Sequence, residues 1–134
     1  GPASNDTLDL WEEVKFAPFL ARVSALDATL LNPQETLSMA TRESAQAVGL
    51  TSVGSLASGM TADFIRLDME HPAFVPVTET AELMAHIAWS GSSRSVTDVW
   101  VDGQPVVADS QILTVDEEKA RAEVQHRAQR LAAS

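Results

Sequence analysis

Leu8, Trp11, Val14, Lys15 and Phe19 fall near one stripe of a helical wheel, which predicts an amphipathic helix from Thr7 to about Arg22. Ser4, Asn5 and Asp6 precede it, each with a side chain suited to cap a helix N-terminus. Pro18 interrupts the pattern, and an interior proline removes one backbone bond, so a kink or break is expected there. A second helix is marked at both ends. Asn32 is its cap, Pro33 its first residue and Glu35 its third, Leu37, Ala40, Ala47 and Val48 follow, and Gly49 ends it. Arg42 and Glu43 in its middle belong to a solvated or packing face.

Past residue 52 the period shortens. Ala62 to Asp68 alternates apolar and charged residues as a half-buried strand does, and His71 to Val77, with two prolines, reads as loop. Glu79 to about Ala88 does not alternate and suits a short helix. The sharpest β signal is Val96 to Ala108, where Asp102-Gly103 separates two β-branched runs and calls for a tight hairpin. Gln111 to Thr114 is a further strand-like piece. Asp116-Glu117-Glu118 then caps a last helix to about Leu131, with acids at its start and Arg127 and Arg130 at its end, matching the helix dipole.

Composition narrows the function classes. With 134 residues and 45% hydrophobic positions, the chain is one ordinary domain long. A formal charge of −10 disfavours nucleic acid and anionic membranes as partners. No cysteine is present, which excludes disulfides, thiolate nucleophiles and cysteine-held metals and fits a cytoplasmic protein. The apolar runs are too short for a membrane span, and Gly1-Pro2 has the look of a tag-protease scar.

Candidate chemistry is sparse. His71, His86 and His126 are 15 and 40 residues apart, without the spacing that puts two imidazoles on one metal, and read as surface or packing residues. Glu12-Glu13, Glu117-Glu118 and the Asp63/Asp68 pair read as solvated and capping acids, because adjacent helical acids diverge. Ser4 and Ser93 have suggestive surroundings but no nucleophile elbow. Gly91-Ser92-Ser93-Arg94 lacks the Gly-Lys-Ser/Thr core of a phosphate loop and reads as a connection into the Val96 strand.

Three stretches taken in order carry a resemblance: Gly1-Pro2-Ala3-Ser4-Asn5-Asp6, Gly54-Ser55-Leu56-Ala57-Ser58-Gly59-Met60-Thr61-Ala62-Asp63, and Asp98-Val99-Trp100-Val101-Asp102-Gly103. Together they resemble the C-terminal portion of metal-dependent amidohydrolases, and within them the deaminase and chlorohydrolase group that includes 5-methylthioadenosine/S-adenosylhomocysteine deaminases. Trp11-Glu12-Glu13 and Lys15-Phe16-Ala17 resemble that deaminase group better than guanine deaminases. Ala57-Ser58-Gly59-Met60-Thr61 departs from the usual Glu-Pro-Gly-Lys at a surface turn.

The resemblance implies an α+β fragment. Residues 1–50 would be the last helices of a (β/α)₈ amidohydrolase barrel, residues 51–115 part of a small β-sandwich, and residues 116–134 a C-terminal helix. It also implies a longer enzyme in which metal-activated hydroxide attacks the carbon of a purine-like or triazine-like ring. The metal, zinc or another divalent ion, would be held by an aspartate just before Gly1 and by histidines further upstream, so the expected cofactor of this chain alone is none, with no turnover. Ser4 is the expected substrate-facing residue, since its turn would leave the C-terminal end of a barrel strand. Asn5 or Asp6 would cap the following helix. The expected partners are the missing N-terminal barrel portion or a second copy. The alternatives are a non-catalytic structural or oligomerisation module, or one chain of a split enzyme.

Overall fold

The computed structural model describes residues 7–133. Helix α1 spans Leu10–Ala25. Its cap is Asp9, whose carboxylate accepts from the Trp11 N–H at 2.9 Å, so the helix starts later than its apolar stripe suggests. Ser4, Asn5 and Asp6 lie outside the described residues. Pro18 does not break α1: the helix runs through it, and the proline ring is itself buried, which compensates the lost backbone bond with packing. Leu26 closes the helix in a left-handed conformation at φ 54°.

The second helical run is α2 (Pro33–Ser38), a π turn over Met39–Glu43, and α3 (Ser44–Ala47). It opens with the expected capping box, Asn32 accepting from the Glu35 N–H and Glu35 from the Asn32 N–H. The π turn was not legible in the sequence. Arg42 and Glu43 lie on an exposed face, and both bond the Ser38 hydroxyl. Helix α4 (Thr80–Ala85) likewise passes into a π turn, His86–Ser90.

Four strands form one antiparallel sheet in the order β1 (Phe64–Leu67), β2 (Val96–Val101), β3 (Gln104–Ala108) and β4 (Gln111–Ile112). The Asp102-Gly103 turn joins β2 to β3 with φ values of 50° and 70°, the doubly left-handed geometry that this pair tolerates. A second such turn, Asp109-Ser110 at 46° and 62°, joins β3 to β4 without a glycine. One face carries the aligned row Ile65, Val99 and Val107; the other carries Phe64 stacked on Trp100 at 4.5 Å between centroids. The loop at 71–77 contains one 3-10 turn, Pro72–Phe74, which drives Phe74 into the interior.

Among the described residues the largest fully interior side chains are Pro18, Thr36, Phe74 and Ser95. Accessible surface totals 9834 Å² for 14.4 kDa. A compact monomer of that mass exposes about 6,800 Å². Apolar side chains contribute to the difference: Leu8 and Leu10 at the start of α1 are 81% and 68% exposed. Helix α5 (Glu117–Ala132) has no buried or half-buried residue.

Candidate active-site rim

The resemblance places an active-site lip at the Gly1–Asp6 turn, which lies outside the described residues; the start of α1, which follows it, is tied to distant parts of the chain. Asp9 uses both carboxylate oxygens. Oδ1 caps Trp11, and Oδ2 accepts from the Ser93 hydroxyl at 2.7 Å, across 84 residues of sequence. The Ser93 hydroxyl, first among the causes, and the Trp11 N–H hold the Asp9 carboxyl below its ordinary value, against the opposing effect of burial. Trp11 reaches further, its indole Nε1–H donating to the Ile87 carbonyl at 2.7 Å. Gly91 is buried beside this bond, and a Cβ there would come within 3.0 Å of Trp11 Nε1 and 2.7 Å of the Ile87 carbonyl oxygen. The other end of α1 is held by the same segment: Phe19 stacks on Trp89, and the Arg22 guanidinium lies 5.0 Å from that ring while donating to the carbonyls of Leu30 and Leu31.

Ser93 is therefore a structural donor, with a carboxylate rather than a histidine as partner. Its loop is a 3-10 turn, Ser93–Ser95, feeding β2, as the sequence suggests.

The second and third motifs of the resemblance meet in space. Gly54 takes φ +88° and approaches the α2 run so closely that a Cβ would lie 2.9 Å from Arg42 Cα, so only glycine fits. At the far end of the same motif, Asp63 Oδ1 accepts from the Asp102 N–H at 2.6 Å, and the Ala62 carbonyl accepts from the Gly103 N–H at 3.0 Å. Asp63 thus holds the hairpin turn and is not paired with Asp68. The third motif's Asp98, only 4% exposed, places Oδ2 2.6 Å from Arg66 Nη2 and accepts from the Asp109 N–H through Oδ1. The Arg66 contact is a charge contact without an aligned hydrogen bond. The Thr97 hydroxyl foremost, then the Asp109 N–H and the Arg66 charge, keep the Asp98 carboxyl below its ordinary value against the opposing effect of burial. This cluster pins the glycine-free Asp109-Ser110 turn.

The three histidines are dispersed. His71 Nδ1 accepts from the Ala73 N–H, His86 Nε2 donates to the Pro76 carbonyl, and His126 is exposed on α5. Among the described residues, no three His, Asp or Glu side chains stand together in a way that could hold a metal ion. A divalent metal does not fit this chain's described residues. No described helix is long and apolar enough to cross a membrane.

Two open grooves flank α1. One of about 750 Å³ separates its start from the Ile65, Val99 and Val107 face of the sheet. The other, about 540 Å³ and almost wholly apolar, lies between α1, the α2 run, β1 and α4, lined by Leu10, Val14, Leu37, Leu67, Met84 and Ile87. Walls this apolar and open are those of a surface suited to contact with another apolar surface.

Residues 1–106 match the family model described as the Amidohydrolase family. The chain belongs to that family. The 5-methylthioadenosine/S-adenosylhomocysteine deaminase of Pelotomaculum thermopropionicum is 42% identical over 131 residues, which is 98% of this chain and 30% of that enzyme. The 5'-deoxyadenosine deaminase of Methanosarcina mazei is 37% identical over 133 residues, again 30% of its length. Among solved structures, a zinc-bound adenosine deaminase from Xanthomonas campestris superposes with a TM-score of 0.91 at 29% identity, covering all of this chain and 30% of that one. An atrazine chlorohydrolase from Arthrobacter aurescens TC1, complexed with zinc, gives 0.78 at 27% identity over 94% of this chain and 28% of its own. The chain thus spans about 30% of the length of the relatives it matches.

Sequence reasoning on single residues missed Asp9, Trp11 and Gly91 as a connected set. Their signal was present only in part: an aspartate just before an amphipathic run is a cap, but nothing along the chain announces its second partner. Ser4 lies outside the described residues.

Proposed function

We propose that this chain supplies the closing part of a metal-dependent amidohydrolase that removes an amino group from a purine-like ring, or a halide from a triazine-like one, and that turnover requires an upstream barrel portion carrying the metal ligands. In this reading residues 1–50 are the last barrel helices, residues 51–115 part of the small β-sandwich and residues 116–134 a helix that closes the structure. Ser4 faces the substrate. The observation that carries the reading is the 42% identity running along nearly the whole chain yet covering only 30% of the deaminase. The apolar grooves on both sides of α1 support it, since they are what barrel strands and further sandwich strands would fill. The names of the curated relatives favour the purine-like substrate over the triazine-like one.

The test is a pair of assays. Ammonia release from 5-methylthioadenosine is measured for the pure 134-residue chain with zinc, and then for a hybrid in which this chain replaces the corresponding C-terminal segment of the Pelotomaculum deaminase. The chain alone should be silent and the hybrid active. Zinc-dependent turnover by the chain alone would remove the need for an upstream portion, and a folded but inactive hybrid would remove the role in catalysis.

A second reading, self-association without catalysis, is favoured by the same exposed apolar surface, because open sheet edges and apolar patches drive chains together. Sedimentation at micromolar concentration should then show oligomers. A rigid monomer would count against both readings, since each needs the exposed faces covered.

A further inference from the structure

Resting on the proposed function, we infer that the Asp9–Ser93 couple, backed by the Trp11–Ile87 bond, is a positioning device for the reaction, fixing the direction in which the chain enters α1.

A helix cap needs one acceptor atom, and serine or threonine would serve. Asp9 has two, and the second is spent outside the helix, on Ser93 Oγ. With two oxygens, the carboxylate caps the helix through one atom and ties it to Ser93 through the other. The neighbouring cross-link is built with equal economy. Ile87 sits in a π turn whose His86 carbonyl accepts from the Gly91 N–H, and the Ile87 carbonyl takes the indole N–H of Trp11. Gly91 has an ordinary φ of −58°, so glycine is there for space: any side chain would push the indole off its carbonyl.

The two bonds hold the first turn of α1 to the π turn at Ile87 and to the 3-10 turn at Ser93. The Ser93–Ser95 turn continues directly into β2, one of the two interior strands of the sheet. Ser93 itself is exposed, which makes the bond a weak contributor to global stability and leaves orientation as its main effect. Residues placed by such a tie lose rate steeply when it slips, since a misplacement of about 1 Å costs up to roughly a hundredfold.

The experiment uses the hybrid deaminase and this chain alone. In the hybrid, Ser93→Ala should lower kcat by about tenfold or more while KM for 5-methylthioadenosine stays within roughly twofold and Tm is nearly unchanged. Ser93→Thr, which keeps the hydroxyl, should restore kcat, and Gly91→Ala should reproduce the defect through the indole. In the chain alone, Ser93→Ala and Gly91→Ala should both speed hydrogen exchange at the Trp11 indole. An unaltered kcat, or a loss that tracks Tm and is not rescued by threonine, overturns the inference. If the unsubstituted hybrid is folded but inactive, the proposed function fails with it, and unchanged indole exchange separately shows that the couple ties nothing.

Discussion

Helices α1 and α5 are built from the same local instructions and end in opposite situations. Each is 16 residues long, each is capped by an aspartate, Asp9 or Asp116, and each has two glutamates in its first turn and an arginine in its last. Yet α1 is bound to distant residues through Asp9, Trp11, Phe19 and Arg22, whereas the ion pairs of α5, Arg121–Glu117 and Arg127–Glu123, lie within the helix, whose side chains are exposed. Capping and charge order make a helix. Only side chains with a second partner make it part of a fold, and a lone helix of this length is marginal in water.

The comparison is most sharply tested at Trp11. Trp11→Ala removes a half-buried indole and its bond to Ile87, and should destabilise the chain by about 3 kcal/mol in urea unfolding. Val124→Ala, on the exposed face of α5, should stay within about 0.5 kcal/mol. Equal effects at the two positions would mean that α5 is anchored as firmly as α1.

The caps should differ less. Asp9→Ala loses a cap and a cross-link and should cost about 1 to 2 kcal/mol, while Asp116→Ala loses only the Lys119 N–H and should sit nearer 0.5 kcal/mol. Chemical denaturation of the two variants measures the gap.

Acid sharpens the same contrast. The Asp9 carboxyl is held below its ordinary value of 3.8 in the fold, so the unfolded chain binds the proton more readily. Its stabilising contribution is present above that value and is lost as pH falls through the lower folded one. Ser93→Ala removes the main cause, and the acid limb of a pH–stability curve should flatten below about pH 4. An unchanged limb would show that the hydroxyl does not support the charge.

The smallest effect belongs to salt. The two exposed ion pairs along α5 are each worth about 0.3 to 0.5 kcal/mol, and 1 M salt should screen them and lower helicity slightly by circular dichroism. The long-range bonds of Asp9 and Trp11 should be largely indifferent to it.

Much of the secondary structure was legible. The Asn32-Pro33-x-Glu35 signature placed the start of α2, and Asp102-Gly103 placed the hairpin, because both depend on interactions within a few residues. The shortened start of α1 was not legible: Asp9 prevails where its cap and its bond to Ser93 agree, and the second lies 84 residues away. Nor was the uninterrupted passage through Pro18, which rests on burial. The glycine-free Asp109-Ser110 turn depends on an aspartate of another strand, Asp98, and on the Thr97 carbonyl.

What the sequence by itself determined is the set of local elements and the family, since capping, turn chemistry and motif order are written in short stretches. What only the tertiary structure decided is how those stretches are used: Asp63 holding the hairpin turn, Ser93 serving a carboxylate, and Gly54 and Gly91 kept for close approach. The reason is physical. A hydrogen bond or a steric gap depends on separation in space, and separation in space is fixed only when the whole chain has closed on itself.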